Sequence, residues 1–373
     1  MATEWAKLEY GQQEIDAAGA ILADPRAEAD ALDKALMIVT NWRLSHAFPL
    51  NTFQSTLRRK AQKFDSDSLT AQRLKRLRAI RHKLQKHTRK PISLWEMQDI
   101  GGCRAVLKSV DQVKELQDSY LNGDLKHKLV GGADDYIASP RFSGYRGIHL
   151  IYSYYSDKTD TWNGLKTEVQ LRTQMQHSWA TAVEIVGFFR QELLKSNEGD
   201  HAWKQFFKLM ASEIAMRERS PIVPNTPKKR ADLRDELKRC IAHTNALNHL
   251  HTFGQGMADV QQVDLDGAHW FLLELDIMKR RLKITGYQLD ARIKASADYS
   301  FIERESLSSR QHDAVLVSVQ SMSELKRAYT NYFLDMRMFT KLVEDTIGYR
   351  PPTPPVQLIF PFAMPNEKRR RAV

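Results

Sequence analysis

The sequence predicts an α+β protein in two parts, and three observations carry that prediction. Runs with apolar residues at helical spacing are interspersed with short runs in which polar and apolar residues alternate. A proline-dense break, Ser220-Pro-Ile-Val-Pro-Asn-Thr-Pro-Lys-Lys-Arg230, separates two such groups, because prolines this close together cannot lie inside a helix. Beyond the break a second set of strand-like runs appears with helical runs around it. A chain of 373 residues with 42% apolar content has room for two ordinary domains, each with its own core.

From about Ile15 to Phe64 the pattern is mostly helical: Leu32, Leu36, Val39 and Trp42 recur among charges, and Pro49 breaks the run. Ser68–Lys86 is predicted as a second helical stretch, strongly basic, with Arg73, Lys75, Arg76, Arg78, Arg81, Lys83 and Lys86. Gly102–Lys108 reads as a strand and Ser109–Leu121 as a helix. Gly147–Tyr155 and Leu165–Leu171 have β composition, and Thr173–Glu192 returns to helix. After the break, Ala231–Leu250 is helical. Trp270–Asp276 and Leu282–Tyr287 form a strand pair about the charged turn Met278-Lys-Arg-Arg281. Ala314–Val319 is a third strand, and Ser323–Tyr332 opens a helical stretch that reaches about Thr346. The tail holds Pro351-Pro-Thr-Pro-Pro355 and Lys368-Arg-Arg-Arg371, an extended and mobile composition. The expected division is a domain over 1–220 with its core at about 61–192, a linker at 221–230, a second domain over 231–346 and a tail over 347–373.

The formal charge of +11 and a pI near 9.5 suit a polyanionic partner, either a nucleotide or RNA. No apolar run is long enough to span a bilayer, and the N-terminus lacks the basic start and apolar core of a secretion signal. Cys103 and Cys240 are too few for a disulfide framework or a zinc site. These features lead to the expectation of a soluble cytoplasmic protein with reduced thiols.

Four groups of residues carry chemistry. Arg73-Leu-Lys75 is followed by Lys83; the two lysines stand eight residues apart, so one helix would turn both to the same side. Clustered cations suit a triphosphate and an arginine can stack on a purine, although a solvated helix face has the same composition. Asp99 precedes the pair Gly101-Gly102, where a carboxylate can hold Mg²⁺ together with substrate phosphates, or merely cap a helix. The segment Asp135-Tyr-Ile-Ala-Ser-Pro-Arg-Phe-Ser-Gly-Tyr-Arg-Gly-Ile-His149 is a loop shaped by Pro140 and Gly144 that presents Tyr145. An aromatic there can stack on a base for about 1–3 kcal/mol. Arg141 and Arg146 would meet phosphates and His149 would reach across the site, while a purely structural tyrosine is equally compatible. In Thr167-Glu-Val-Gln-Leu-Arg-Thr173, a strand puts Glu168, Gln170 and Arg172 on one face and Val169 and Leu171 on the other. Glu168 could bind Mg²⁺ beside Asp99 or take a proton from an attacking hydroxyl; a half-exposed strand shows the same alternation.

In this order, Arg73-x-Lys75 with Lys83, Asp99 with Arg104, Asp135-Tyr-Ile-Ala-x-Pro-Arg-x-x-Gly-Tyr-x-x-x-His149, and Glu168-Val-Gln-Leu-Arg-Thr173 resemble the RelA/SpoT synthetase family, from about Ala61 to Phe189. The resemblance implies a nucleotidyltransferase-like mixed sheet flanked by helices. It also implies an ATP-dependent pyrophosphokinase, in which a ribose 3′-hydroxyl attacks the β-phosphorus of ATP and AMP leaves. On that likeness Arg73 stacks the adenine, while Lys75 and Lys83 hold phosphates beside Arg104, Lys83 counting among the catalytic groups. Asp99 and Glu168 carry Mg²⁺, and Glu168 acts near the acceptor hydroxyl. Tyr145 stacks the acceptor base, with Gln170, His149, Arg141 and Arg172 around it. Ala79 stands where the long alarmone synthetases usually have Ser, and Arg141 and Ser143 replace Lys and Asn, which puts a GTP or GDP acceptor in question. The residues upstream are too few for a hydrolase domain, and the dipeptide His312-Asp313 reads as accidental.

Trp270-Phe-Leu-Leu-Glu-Leu-Asp276, Ala314-Val-Leu-Val-Ser-Val319 and Glu324–Phe333 resemble the C-terminal domain of CapRel-type fused toxin–antitoxins. That likeness implies a small synthetase that pyrophosphorylates the 3′ end of tRNA. A zinc-finger-like domain without zinc would cover the ATP site, with Tyr329 and Tyr332 as the inhibitory pair. A phage protein such as a major capsid protein would release it. Arg58, Arg59, Lys60, Arg76 and Arg78 would follow the acceptor stem, and neither a membrane nor DNA is expected as a partner. Two other readings stand beside it: an alarmone synthetase using GTP, GDP or an adenine nucleotide as acceptor, and an inactive nucleotide- or RNA-sensing module.

Overall fold

The computed structural model describes residues 5–86, 92–190, 200–254, 259–263, 265, 267–276, 279–305, 312–319, 322–330, 332–333 and 335–349. The chain opens with helices α1 (Gln12–Ala23), α2 (Ala29–Ser45) and α3 (Ala47–Phe64). Pro49 sits in the first turn of α3, where its missing N–H costs nothing, so the break falls before it, at His46. Strand β1 (Leu69–Leu74) and helix α4 (Leu77–Gln85) follow, then β2 (Gly101–Leu107), α5 (Val110–Leu121), the short β3 (Lys128–Leu129) and β4 (Asp134–Asp135), β5 (Ile148–Ser153), β6 (Lys166–Thr173) and α6 (Gln174–Arg190). Ser109 caps α5 by accepting from the Gln112 N–H at 3.2 Å.

Among the described residues the first sheet has six strands in the order β1-β2-β6-β5-β3, with β4 also on β5. β2 and β6 run parallel and the other neighbours antiparallel. Alternation then divides the sheet. Cys103, Ala105, Leu107, Val169 and Leu171 face α3 and α5, meeting Phe53, Leu57, Val113 and Leu116. Leu69, Ala71 and Val106 face the other way.

The remaining elements are α7 (His201–Arg217), α8 (Arg230–Thr244), α9 (Ala246–Phe253), β7 (Asp259–Val263), β8 (Trp270–Asp276), β9 (Arg281–Tyr287), α10 (Arg292–Glu305), β10 (His312–Ser318), α11 (Met322–Ala328) and α12 (Arg337–Ile347). The second sheet has the order β10-β8-β9-β7, and its Leu273, Val315 and Val317 pack with Ala328 and Tyr329 against Leu69, Ala71 and Val106 of the first sheet. A separate core joins α6 to α7, α8, α9 and α12 through Val183, Phe206, Leu237 and Phe339. The proline-containing segment is packed: Val223 is buried, and its N–H donates to Ser212 Oγ at 3.0 Å. The molecule is thus α+β, with a mixed sheet flanked by helices followed by a smaller α+β region.

Two sequence expectations are corrected. Ser68–Lys86 is a strand and a helix, because Leu69–Leu74 pairs along its whole length with Gly101–Val106, and the sheet outweighs the helical preference of Arg, Lys and Gln. The stretch from Ser323 is also broken: α11 ends at Ala328, and Tyr329, Tyr332 and Phe333 turn inward before α12 begins. Helices α7 and α10 and strands β3, β4 and β7 are additional elements. Met278, the last two residues of the predicted helix Thr173–Glu192 and the tail from 350 onward lie outside the described residues. Cys103 and Cys240 are both free. Among the described residues no helix is long and apolar enough to cross a membrane.

Candidate active site

The registers of the first sheet assemble the site. Arg73 on β1 lies opposite Gly102 on β2, which lies opposite Glu168 on β6. One row on, Arg104 faces Gln170, and Gln170 faces His149 on β5. Residues in register point to the same side, so Arg73, Arg104, Glu168, Gln170, Arg172 and His149 share the sheet face away from α3 and α5. A cavity of about 150 Å³ lies over this face, with Lys75, Arg76, Asp99, Glu184 and Tyr329 completing its wall.

Lys75 and Lys83 converge as expected, but not along one helix. The Lys75 N–H donates to Ile100 O at 2.7 Å, extending β1, while Lys83 comes from α4. Their amines grip Asp99 from two sides, Lys75 Nζ at 2.6 Å and Lys83 Nζ at 3.0 Å. Burial would raise the Asp99 carboxyl, but the two ammonium groups overcome it and hold it down at about 2. Glu168 is treated alike: burial works against its charge, while His149 Nδ1 at 2.8 Å and the Gln170 amide at 2.5 Å hold its pKa below the ordinary carboxylate range. Arg73 lines the cavity and makes no side-chain hydrogen bond among the described residues.

Gly144 adopts φ +93°, and a Cβ there would meet Ala211 Cβ at 2.8 Å, so only glycine makes this turn without strain. The turn delivers Tyr145 to the site, where its hydroxyl lies 2.6 Å from His149 Nε2 and accepts from Arg172 Nη2 at 2.7 Å. Burial pushes that phenol up, against the opposing pull of Arg172. Tyr145 and His149 therefore join Glu168 through one hydrogen-bonded chain behind the cavity. Arg141 stands apart, stacked over the Tyr136 ring at 4.1 Å.

Several placements differ from expectation. Arg146 does not face phosphates: it is buried and donates to Ile137 O, Pro221 O and Ser220 Oγ at 2.7–2.9 Å, bracing the loop against the 220s. Arg76 is turned inward, paired with Glu184 at 2.9 Å and with Asp313, so it cannot trace an outer stem here. Lys60 donates to Ser119 O at 2.8 Å. Asp313, read as accidental, is a buried partner of Arg76 and accepts from the Tyr332 hydroxyl at 3.2 Å. Glu184 was missed; its signal was a lone carboxylate inside the apolar run Ala180–Val186.

The second part closes over this cavity. Tyr329, 2% exposed, donates its hydroxyl to Gln72 O at 2.7 Å. Arg104 lies over the Tyr329 ring at 5.9 Å and donates to Ala328 O at 2.5 Å. Burial, and Arg172 nearby, lower the Arg104 guanidinium to about 10. Tyr332 is fully buried and receives Arg76 Nη1 at 3.2 Å.

For a metal, no cluster of three or more His, Cys, Asp or Glu able to hold an ion occurs among the described residues. Three carboxylates line the cavity: Glu184 is paired with Arg76, while Asp99 and Glu168 are both held ionised. Such oxygens fit Mg²⁺, which uses one or two carboxylates and takes the rest from water and phosphate.

Comparison with known proteins bears on the same residues. Over 109 residues the chain is 33% identical to the GTP pyrophosphokinase YjbM of Bacillus subtilis (strain 168), covering 28% of this chain and 51% of the relative. The chain thus spans about half the length of that curated relative. Among solved structures, small alarmone synthetase 2 of Bacillus subtilis superposes with TM-score 0.39 and 23% identity over 48% of this chain and 91% of its own. Small alarmone synthetase 1 of Bacillus subtilis bound to its product pppGpp gives TM-score 0.40 and 21% identity over 47% and 90%. Residues 72–186, which run from the second half of β1 through most of α6 and hold nearly every group of the cavity wall, match the region found in RelA and SpoT proteins.

Proposed function

We propose that this protein transfers pyrophosphate from ATP to a 3′-hydroxyl, with the 3′ end of tRNA as acceptor, and that its second part holds the enzyme inactive. The observation that carries the reading is the meeting of Lys75, Asp99 and Glu168 with Tyr329 around one cavity. Lys75 and Lys83 supply positive charge for the polyphosphate, and Arg73 is available to stack on adenine. Asp99 and Glu168 would hold Mg²⁺, which would neutralise phosphate charge as it develops. Glu168 accepts the proton of the attacking hydroxyl, the new bond forms from O3′ to the β-phosphorus, and AMP leaves with the bridging oxygen. Tyr145 presents a ring for the acceptor base, with Arg141 and Arg172 on the acceptor side.

Volume favours inhibition. Pockets for drug-sized ligands run from about 300 Å³ upward. A cavity of about 150 Å³ with Tyr329 in its wall falls well below that range, which supports a closed ATP site. Release requires a ligand that binds the open form better than the closed one, and a phage protein such as a capsid subunit is the proposed trigger. A free nucleotide is the second reading for the acceptor, favoured by the likeness to a GTP pyrophosphokinase.

The test uses the full chain with Tyr329→Ala and Tyr332→Ala, ATP labelled at the γ-phosphate, and either total tRNA or GTP and GDP. Label on tRNA that depends on Glu168 supports the first reading. Label only on guanine nucleotides moves the assignment to the second, and equal turnover by wild type and both tyrosine variants removes the inhibitory role.

A further inference from the structure

Arg43 belongs to no motif, yet it is among the largest fully buried side chains of the molecule. It sits on α2 and spends its donors in two directions. Nε donates to Lys75 O at 2.9 Å. Nη1 pairs with Glu303 Oε2 at 2.7 Å, and Nη2 donates to the Tyr299 hydroxyl at 3.1 Å. Both of those partners come from α10, in the second part of the chain. Glu303 Oε1 accepts from Tyr299 at 2.8 Å and from the Leu77 N–H at 2.5 Å. Helix α4 has no side-chain cap of its own, so a carboxylate from α10 occupies its N-terminal end.

The Lys75 backbone is therefore gripped twice, at its N–H by Ile100 and at its C=O by Arg43. A rigid guanidinium fork fixes both ends of such a contact more tightly than a flexible amine does. The Arg43–Lys75 contact lies wholly within the first part and survives when α10 departs, whereas the Glu303 and Tyr299 contacts do not.

We propose that Arg43 is a positioning residue for Lys75, and that α10, by holding the same guanidinium and capping α4, ties the seating of the second part to the ATP lysine. The inference rests on the reading above that Lys75 meets ATP, and it is separate from the tyrosine pair. Arg43 has two roles of opposite sign. As a latch partner it favours the closed form, and as a support for Lys75 it favours nucleotide binding.

The experiment measures binding of α,β-methylene-ATP with Mg²⁺ to the full chain by calorimetry, so it needs no acceptor. Glu303→Gln and Tyr299→Phe remove the latch alone and should tighten binding by about fivefold or more as the closed form loses its advantage. Arg43→Ala loses the same latch but should bind about tenfold more weakly than Glu303→Gln, and Arg43→Lys, which keeps the charge, should also fall below Glu303→Gln. Thermal unfolding checks that each variant is folded. Arg43→Ala binding as tightly as Glu303→Gln overturns the positioning role. Glu303→Gln and Tyr299→Phe both binding like wild type overturn the link to α10. Should binding follow the expected order while no acceptor is turned over, the reaction assignment falls and this inference stands.

Discussion

At Glu168 the carboxylate lies between His149 and the Gln170 amide on a buried strand face, and those two contacts keep it charged against the cost of burial. Glu168→Gln keeps the shape and removes the proposed proton acceptor. Transfer by an activated chain should drop about 10²–10⁴-fold, the span of general acid–base catalysis, while calorimetry without Mg²⁺ finds ATP-analogue binding little changed. Loss of binding instead would make Glu168 a nucleotide ligand first. At Gly144 the constraint is steric, combining φ +93° with the closeness of Ala211 and Trp179. Gly144→Ala should lower stability by about 1–3 kcal/mol in urea titration and reduce transfer through a displaced Tyr145.

Among the elements, the joint between α2 and α3 carries an acid sensitivity of its own. His46 is buried there, its Nδ1 bonded to Trp42 O at 2.7 Å, and burial pushes its pKa down to about 4 from an ordinary 6.5. The unfolded chain binds a proton at His46 below pH 6.5 and the folded chain only below about 4, so protons favour unfolding in that window. Stability should fall by about 3 kcal/mol between those limits and stay flat in this respect above 6.5. Urea midpoints of His46→Gln across the same range should show a shallower slope; an unchanged slope would assign the effect elsewhere. Strand β1 teaches a different lesson. Its Leu, Ala, Gln and Arg are good helix formers, and only pairing with β2 made Leu69–Leu74 extended.

Across the whole molecule, the two parts meet through ion pairs as well as apolar packing. Arg76 reaches Glu184 on one side and Asp313 with Tyr332 on the other. Asp313→Asn leaves Arg76 one carboxylate poorer in the closed form only, since opening returns it to water. The unstimulated chain should then turn over about tenfold faster, equivalent to about 1.4 kcal/mol on the closing equilibrium. Activity no higher than wild type would separate this contact from inhibition.

The sequence by itself determined which residues of β6 share one face. Glu168, Gln170 and Arg172 alternate with Val169 and Leu171, and period-two alternation decides sides wherever a strand lies over a core. It likewise marked Gly144 before Tyr145 and the strands β8, β9 and β10, because turn glycines and β-rich runs are local signals. Only the tertiary structure decided that Lys75 leaves a strand, that Arg146 braces a loop, and that Asp313, Glu303 and Arg43 hold the two parts together. The ion pairs that Glu303 and Asp313 make across the two parts join residues more than two hundred positions apart, and neither propensity nor spacing encodes which buried charges will meet across such a distance.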